Sequence, residues 1–584
     1  MTTDSTPLQE ARSVLQKYFS YDKLKPAQEQ VILAALNGDD VLAVLQTGYG
    51  KSVCFQVPAM LREGCALVIS PLIALMKDQV DGANRRGIPA SFVNSSLDPD
   101  EVARRLNEFA AGAYKLFYVA PERINARMFH AVMARATVSF IVVDEAHCAS
   151  LYGHDFRPAF ARIHEISSML WRAHETRPPI IAVTATATQE IEQDIAAAVG
   201  MSEGYVRVVG DPVRPNLSYD TTESRFNEWT SVMYVAKQRF HAPGRHLIYA
   251  STQKGTKIVS EMLCDHFGKG FAAIYHGGMG KDERTAVQDA FVSGAVRVVV
   301  ATNAFGMGID VPDIRTVIHM GVPGSIESYV QETGRAGRDG LPSTVVLVPS
   351  RFSENLQRLF IDGANPSIDV YVALWEWLCE KSPNKKPIRM SSASIAESMT
   401  IALGGVEVMG PSISTALNVL EAHRLVRREY YEGGCPIKVK TDEAACAELK
   451  KSAVGKWLLS KAKLEAGLFG KGDIEINVDK SDAPLEIGVS AYAFNKALKE
   501  LSAADVIEVG RVFTGKTTTV IDLEVDLLSR LPVEQLNEKR TRDYQRFDAM
   551  LEYAQLPSNE ARRRYIRDYF SGEQPNAPVA RLPF

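Results

Sequence analysis

Ten short apolar runs, separated by amphipathic stretches, constrain the fold of this chain more than any other feature. The runs are VLAVL (41–45), ALVIS (66–70), LFYVA (116–120), FIVVD (140–144), IIAVT (180–184), HLIYA (246–250), AAIYH (272–276), VRVVVAT (296–302), TVIHM (316–320) and TVVLV (344–348). Unbroken β-branched runs between helical stretches are typical of buried parallel strands. We therefore expect two tandem α/β domains with parallel sheets, over residues 1–212 and 213–352.

Composition restricts the class of protein. The seven cysteines of the 584 residues form no CxxC pair, which argues against a disulfide framework and a zinc cluster. No apolar run has the length of a membrane span, and the first ten residues lack the pattern of a signal peptide. A net charge of −4 gives no general attraction to polyanions, so nucleic-acid contact would need local basic patches. We expect a soluble intracellular protein without a membrane partner.

The string QTGYGKS at 46–52 follows a predicted strand and precedes a helical run, which is the context of a P-loop. Gly48 and Gly50 would let backbone N–H groups approach phosphates. Lys51 would reach the β- and γ-phosphate oxygens of ATP, and Ser52 would hold Mg²⁺. The alternative is a glycine turn before a helix.

Two further strings end predicted strands. In DEAH (144–147), Asp144 would be a Mg²⁺ ligand and Glu145 would polarise the attacking water. An acidic pair at a strand end is often only the start of a helix. TATAT (184–188) would couple the nucleotide state to domain movement.

The string QETGRAGRDG (331–340) offers Arg335 and Arg338, nearly one helical turn apart. A lysine that grips phosphates and an arginine that stabilises the transferring phosphoryl group must meet at the γ-phosphate. The two strings lie some 280 residues apart and so belong to different domains. We therefore expect a cleft between the domains that closes on ATP.

ATNAFGMGID (301–310) also ends a strand, and its glycines allow close approach of a ligand. Thr302 would touch a nucleic-acid phosphate and Asp310 a ribose hydroxyl. A tight glycine turn is the alternative.

The strand–helix alternation stops after residue 352. We predict a helical linker (353–389), two winged helices (390–445 and 446–532) and a helical tail (533–584). The expected wings are hairpins that turn at EGG (432–434) and TGK (514–516). Phe513, near the second tip, would help to separate DNA strands, and a structural or partner-binding wing is the alternative.

Nine ordered motifs resemble the RecQ family of superfamily 2 DNA helicases over about residues 8–350. They are KPAQ, QTGYGKS, SPLIALMKDQV, APERI, DEAHCASLYGHDFRP, TATAT, YHGGM, ATNAFGMGID and IESYVQETGRAGRDGLP. The resemblance implies two RecA-like domains and an ATP-driven 3′-to-5′ helicase that tracks on single-stranded DNA.

The resemblance also implies roles for particular residues. Tyr21, Lys25 and Gln28 match the adenine-recognising motif, with lysine where the family usually has arginine. The DNA-sensing aromatic loop corresponds to residues 149–158, and its candidate contacts are Tyr152, His154, Phe156 and Arg157. Gln331 would contact the γ-phosphate beside the two arginines, and Thr47 belongs to the P-loop set.

The tail departs from the family pattern. Its segment 553–573 resembles the arginine-bearing helices of the family's zinc module, but Ala561 stands where the first zinc cysteine would fall. We therefore expect no zinc. The run Arg562–Arg564 would bind phosphates or be a solvated helix face.

These interpretations predict an ATP-dependent 3′–5′ DNA helicase in repair or recombination, with ATP and Mg²⁺ as cofactors. Its expected partners are single-stranded DNA and forked or 3′-tailed duplex DNA, and we expect a monomer. It would be cytoplasmic and nucleoid-associated in a bacterium or phage and nuclear in a eukaryote. Two alternatives stay open: an RNA helicase on the same engine, and an ATP-gated DNA-binding adaptor with little unwinding.

Overall fold

The computed structural model describes residues 6–71, 73–124, 127–150, 158–222, 227–305, 311–382, 385–402, 408–466, 473–479, 483–509 and 513–572. The chain divides into two compact units. Unit 1 comprises Met1–Arg358 with Asp543–Phe584, and unit 2 comprises Leu359–Arg542. Each unit is described separately.

The first sheet of unit 1 has seven strands in the order β3-β4-β2-β5-β6-β1-β7, and every neighbouring pair is parallel. The strands are β1 (Val41–Val44), β2 (Cys65–Ile69), β3 (Ala90–Val93), β4 (Leu116–Val119), β5 (Val138–Asp144), β6 (Ile180–Thr184) and β7 (Val206–Val209). The helices are α1 (Pro7–Phe19), α2 (Pro26–Asn37), α3 (Val53–Leu61), α4 (Ile73–Arg85), α5 (Pro99–Ala110), α6 (Arg127–Met133), α7 (His164–His174) and α8 (Gln189–Val199).

Strand β1 shows why its sequence is apolar throughout. Leu42 and Val44 belong to one buried cluster, whereas Val41 and Ala43 belong to another. Successive side chains of a strand point to opposite faces, so both faces of this sheet are covered. An unbroken apolar run is the consequence.

The second sheet of unit 1 has six parallel strands in the order β10-β11-β9-β12-β13-β8. They are β8 (Leu217–Thr221), β9 (Arg245–Ala250), β10 (Ala272–Tyr275), β11 (Val298–Ala301), β12 (Ile314–Met320) and β13 (Ser343–Val348). The helices that follow β8 in sequence are α9 (Glu228–Arg239), α10 (Gln253–Phe267), α11 (Lys281–Ser293), α12 (Ile326–Thr333) and α13 (Arg351–Ala364).

The predicted pair of parallel α/β sheets is confirmed, and each of the ten apolar runs contains a strand. Strands β3, β7 and β8 were not predicted. Strands β3, β7 and β8 lie at sheet edges, and β7 and β8 are only partly buried. Each of these three strands contains at least one polar residue and therefore lacks the continuous apolar signal of the predicted strands.

The C-terminal helices are α22 (Val533–Ala554) and α23 (Asn559–Ser571). Helix α23 packs along the edge strand β8. The Tyr219 N–H donates to Asn559 Oδ1 at 2.8 Å, and Arg562 Nη1 donates to the Tyr219 carbonyl at 3.2 Å. Arg563 Nη1 donates to the Leu217 carbonyl at 2.9 Å. These side chains satisfy backbone groups that a neighbouring strand would otherwise pair.

The run Arg562–Arg564 is therefore not uniform. Arg562 is buried and Arg563 is half-buried against backbone carbonyls, and only Arg564 is exposed. The two interpretations made from sequence, phosphate binding or a solvated face, are both wrong for Arg562.

Unit 2 contains α14 (Ile368–Lys381), α15 (Ser392–Ala402), α16 (Gly410–Ala422), α17 (Glu443–Leu449), α18 (Ala453–Ala466), α19 (Ala483–Ile487), α20 (Ala491–Ala503) and α21 (Leu527–Arg530). Its strands are β14 (Val426–Val439), β15 (Ile474–Asp479), β16 (Ile507–Val509) and β17 (Phe513–Val520). Strand β14 is antiparallel to the other three.

The two expected hairpin turns are wrong. Residues 432–434 lie inside β14, where the pairing register shifts, and residues 514–516 lie inside β17. The first half of β14 pairs with β17 and the second half with β15 and β16. The strands thus form one long ribbon, and Phe513 starts a strand opposite Gly434 instead of lying near a hairpin tip.

The ribbon joins two separate cores. One core combines α14–α16 with Val426, Val520 and Leu527. The other lies wholly between Cys435 and Ile507. The second core is thus built from a segment inserted at the far end of the ribbon. Among the helices described here, none is both long and apolar enough to cross a bilayer.

Candidate nucleotide site at the seam of two sheets

Three adjacent strands of the first sheet bring the predicted motifs together. Strand β6 lies between β5 and β1, with Val44 opposite Thr184 and Asp144 opposite Val183. The P-loop, TATAT and DEAH strings follow directly from these strands. Their side chains therefore meet at one carboxyl edge of the sheet, where α/β proteins bind ligands.

The P-loop (residues 46–52) has the backbone conformation that its glycines allow. Gly48 has φ of 83° and Gly50 has φ of 90°, values that other residues rarely adopt. Lys51 Nζ lies 3.8 Å from Glu145 Oε2. Ser52 is the residue immediately before α3. A P-loop lysine and the acidic string are thus in direct electrostatic contact.

The DEAH residues are held by their neighbours. Ser70 Oγ donates to Asp144 Oδ2 at 3.4 Å, and the Glu145 N–H donates to Asp144 Oδ1 at 3.0 Å. Burial, and then the adjacent Glu145 carboxylate, raise the pKa of Asp144. Glu145 adopts a left-handed φ of 50°, a conformation that costs free energy outside glycine.

His147 connects DEAH to TATAT. It is buried, and its Nδ1 lies 3.0 Å from Thr184 Oγ1. Thr184 Oγ1 in turn lies 3.2 Å from the carbonyl of Thr186. The two strings are therefore physically coupled through one imidazole.

The predicted adenine residues lie beside the P-loop. Gln28 Nε2 donates to the carbonyls of Tyr49 and Gly50 at 3.1 and 3.2 Å. Lys25 Nζ donates to the Tyr49 carbonyl at 2.9 Å and lies 4.7 Å from the centre of the Tyr49 ring. Burial, and then the nearby Arg214, lower the pKa of Lys25. Tyr21 is 58% exposed, so its ring is accessible to a ligand.

The second sheet reaches the P-loop through the turns after α12, residues 334–339, here called the arginine loop. A Cβ added to Gly334 would lie 2.9 Å from Thr47 Cβ, and one added to Gly48 would lie 3.6 Å from Arg338 Cγ. The two loops are thus in van der Waals contact, and this contact is called the seam. The sequence-predicted residues Lys51 and Arg338 lie on its two sides.

Arg335 and Arg338 lie in turns and not on a helix, because α12 ends at Thr333. Arg335 is buried and interacts with the Tyr249 hydroxyl. Gln331 lies within α12, half-buried. The Gly337 N–H donates to the Ile314 carbonyl at 2.8 Å, which anchors the arginine loop to the start of β12.

Sequence reasoning missed Arg214, which lies at the seam between β7 and β8. Arg214 is buried and donates to three backbone carbonyls of the arginine loop. A Cβ on Gly48 would lie 4.0 Å from its guanidinium carbon. No local string marks this residue, because its partners follow some 120 positions later in the chain.

The predicted DNA contacts are only partly described. Thr302 follows β11, half-buried, and its N–H donates to the Tyr275 carbonyl at 3.1 Å. Asp310 and the aromatic-loop residues lie outside the described residues, as does the side chain of Phe513. The aromatic-loop residues are Tyr152, His154, Phe156 and Arg157. Their roles stay predictions.

Comparison with known proteins agrees with this geometry. The DEAD/DEAH box helicase family matches residues 25–194, and the helicase conserved C-terminal domain matches residues 229–340. The chain is 40% identical to the ATP-dependent DNA helicase RecQ of Bacillus subtilis over 61% of this chain and 58% of that protein. It is 34% identical to the probable ATP-dependent DNA helicase RecS of the same organism, over 60% of this chain and 69% of that protein.

A crystal structure of the DUF1998 helicase MrfA bound to DNA has the same fold over 72% of this chain and 61% of that chain. The TM-score is 0.51 at 18% identity. The chain spans 52–58% of the length of the three RecQ proteins that it matches at 40–42% identity. The two family models include the P-loop and the arginine loop, and the chain belongs to the RecQ family of superfamily 2 helicases.

Proposed function

We propose that this protein is an ATP-dependent DNA helicase that moves 3′ to 5′ along single-stranded DNA and unwinds duplexes in repair or recombination. One observation carries the proposal: the P-loop of the first sheet and the arginine loop of the second sheet meet at the seam. Phosphoryl transfer needs a phosphate grip and cationic stabilisation of the transferring group, and here different sheets supply them.

The triphosphate of ATP would take over the interactions of Lys51. In the structure Lys51 lies 3.8 Å from Glu145. A γ-phosphate would attract Lys51 more strongly than one carboxylate does, because it carries more charge. Glu145 would then be released to orient the attacking water, as the general base of this reaction does.

The residues at the seam also suit Mg²⁺. The Ser52 hydroxyl and the Asp144 carboxylate are hard oxygen donors, the ligand type that Mg²⁺ prefers, and they follow or end strands β1 and β5, which flank β6. Bound there, Mg²⁺ would neutralise charge on the β- and γ-phosphates. Asp144 must be ionised to hold it, and because burial beside Glu145 raises the pKa of Asp144, Mg²⁺ would compete with a proton for this carboxylate.

Hydrolysis would be converted to movement at the seam. When the γ-phosphate leaves, Arg335 and Arg338 lose the anion that draws them towards the P-loop. The contact of His147 with Thr184 would transmit the loss of the γ-phosphate from the DEAH residues to TATAT. The aromatic loop at 149–158 follows DEAH directly in the sequence, and stacking of bases on its rings would be tolerant of sequence.

We propose that the protein acts inside the cell, in the cytoplasm or nucleus, because its expected substrates ATP and DNA are found there. We propose forked and 3′-tailed duplexes as substrates, and a monomer as the acting form.

The test is strand displacement with ATP on three matched duplexes: one with a 3′ DNA tail, one with a 5′ DNA tail and one with a 3′ RNA tail. We expect displacement of the 3′-tailed DNA duplex alone. Displacement that requires the RNA tail would identify an RNA helicase. DNA-stimulated hydrolysis without any displacement would identify an ATP-gated adaptor.

A further inference from the structure

Arg214 occupies the chain segment that crosses from the first sheet to the second. It follows β7 and precedes β8, and the residue is only 8% exposed. A buried arginine is costly unless hydrogen bonds satisfy its guanidinium group. The acceptors of its hydrogen bonds therefore indicate its structural role.

Those partners are backbone carbonyls of the arginine loop. Arg214 Nη1 donates to Gly334 O at 3.1 Å and to Ala336 O at 2.6 Å, and Nη2 donates to Gly337 O. Carbonyls just beyond a helix end have no intrahelical partner, so a fixed fork of N–H donors can hold them in one arrangement. The three carbonyls flank Arg335 on both sides.

A neighbouring side chain reinforces the same loop. Asn216 Nδ2 donates to the carbonyls of Gly337 and Leu341, both at 2.9 Å. The crossing segment 214–216 thus holds the arginine loop, which also contacts the P-loop.

The guanidinium of Arg214 also lies close to the P-loop, with its carbon 4.0 Å from the position of a Cβ on Gly48. Arg338 lies 3.6 Å from the same position. Burial, and then Arg338, lower the pKa of Arg214. The guanidinium groups of Arg214 and Arg338 lie close to the same P-loop glycine and repel each other. A bound polyanion between them would stabilise both charges.

We propose that Arg214 is a positioning residue that fixes the arginine loop so that Arg335 and Arg338 face the γ-phosphate. Because Arg214 belongs to the segment between the sheets, it also ties the arginine loop to the chain connection between β7 and β8. The inference rests on the proposed ATPase activity and extends it.

The experiment compares ATP hydrolysis by the wild-type chain and two variants, Arg214→Lys and Arg297→Lys, with single-stranded DNA present. Arg297 is the matched control: it also donates to three carbonyls, those of Phe240, Ala242 and Gly244, at a turn outside the seam. Lysine keeps the charge but lacks the planar fork, so it cannot hold three carbonyls in fixed positions.

We expect Arg214→Lys to lower kcat by about 10- to 100-fold, since a displacement of about 1 Å can have such an effect. The KM for ATP should change little, because the P-loop is untouched. Arg297→Lys should keep the wild-type kcat, even where its melting temperature falls. Both variants are first checked by thermal melting.

A kcat for Arg214→Lys within about twofold of wild type would overturn the inference, and so would an equal loss in Arg297→Lys. Arg214→Gln, which keeps planar N–H donors without the buried charge, is the second variant. Failure of both Arg214 variants to fold would assign the residue to the fold as a whole and also overturn the inference. A wild-type chain without ATPase activity would instead refute the proposed function.

Discussion

Lys51 is the residue whose removal should have the largest effect on turnover. It lies between the acidic string and the expected phosphates, and its ion pair with Glu145 shows that the two groups share one space. Lys51→Ala should abolish ATP hydrolysis, because in the proposed site this lysine would be the main contact to the β- and γ-phosphates. Steady-state phosphate release measures this. Lys17→Ala, an exposed lysine on α1, should be unaffected, and near-wild-type turnover in Lys51→Ala would refute the site.

Asp40 illustrates a buried charge that sequence reasoning did not single out. Its carboxylate accepts hydrogen bonds from Arg177, from Ser202 and from the Ile180 N–H, at 2.7–3.0 Å. Burial by itself would raise the pKa of Asp40, but these hydrogen bonds outweigh it and the pKa is lowered. Its stabilising contribution is therefore present above the unfolded-state pKa and is lost as the pH falls through the lower folded-state pKa.

Asp40→Asn should reduce stability at neutral pH by about 3 kcal/mol or more, because Arg177 loses its buried partner. The difference from wild type should shrink as the medium is acidified below about pH 4. Chemical unfolding at several pH values measures both effects. The exposed neighbour Asp39 provides the control, and an Asp39→Asn variant as unstable as Asp40→Asn would contradict the explanation.

For single residues, the sequence predicts only roles that belong to a contiguous motif. The P-loop and DEAH residues are recognisable because each string is contiguous and follows a strand. Arg214 and Arg562 act through backbone carbonyls of distant segments, so no spacing in the sequence marks them.

Among the elements, α23 completes the edge of the second sheet. Arg562→Ala should lower the free energy of unfolding by about 1–3 kcal/mol, because the Tyr219 carbonyl at the edge of β8 loses its donor. Thermal melting measures the change. Arg564→Ala removes an exposed arginine of the same helix and should be nearly neutral; equal destabilisation by both would show that the edge contact is not responsible.

The seam itself can be tested at Gly334. An added Cβ would lie 2.9 Å from Thr47 Cβ, closer than such atoms normally approach. Gly334→Ala should therefore push the arginine loop away from the P-loop and lower kcat while ATP still binds. Gly82→Ala adds a Cβ at an ordinary 3.6 Å from Arg86 and is the control. Unchanged kcat in Gly334→Ala would mean that the seam is looser than the structure indicates.

The central strands were predictable because both faces of the first sheet are buried, as the two clusters around β1 show. The continuation of β14 through residues 432–434 was not predictable, since two glycines favour a turn locally while pairing with β17 and β15 extends the strand. Long-range pairing overrides local turn preference there.

At the scale of the whole molecule, we expect the two sheets of unit 1 to bind one nucleotide together. The P-loop belongs to the first sheet and the arginine loop to the second, and the segment carrying Arg214 joins them. The binding energy of a γ-phosphate would therefore be available for moving one sheet against the other. The close approach of the two loops, with Gly334 against Thr47 and Arg338 beside Gly48, is the observation on which this depends.

The most direct test is to compare the binding of ADP and of ADP–aluminium fluoride, which mimics the transferring phosphoryl group, to wild type and Arg338→Ala. We expect Arg338→Ala to bind ADP nearly as well as wild type but to lose most of the additional affinity for ADP–aluminium fluoride. Its kcat should fall by about 10³-fold, as expected for a trans-acting arginine. Equal affinities of wild type and Arg338→Ala for ADP–aluminium fluoride would contradict the account.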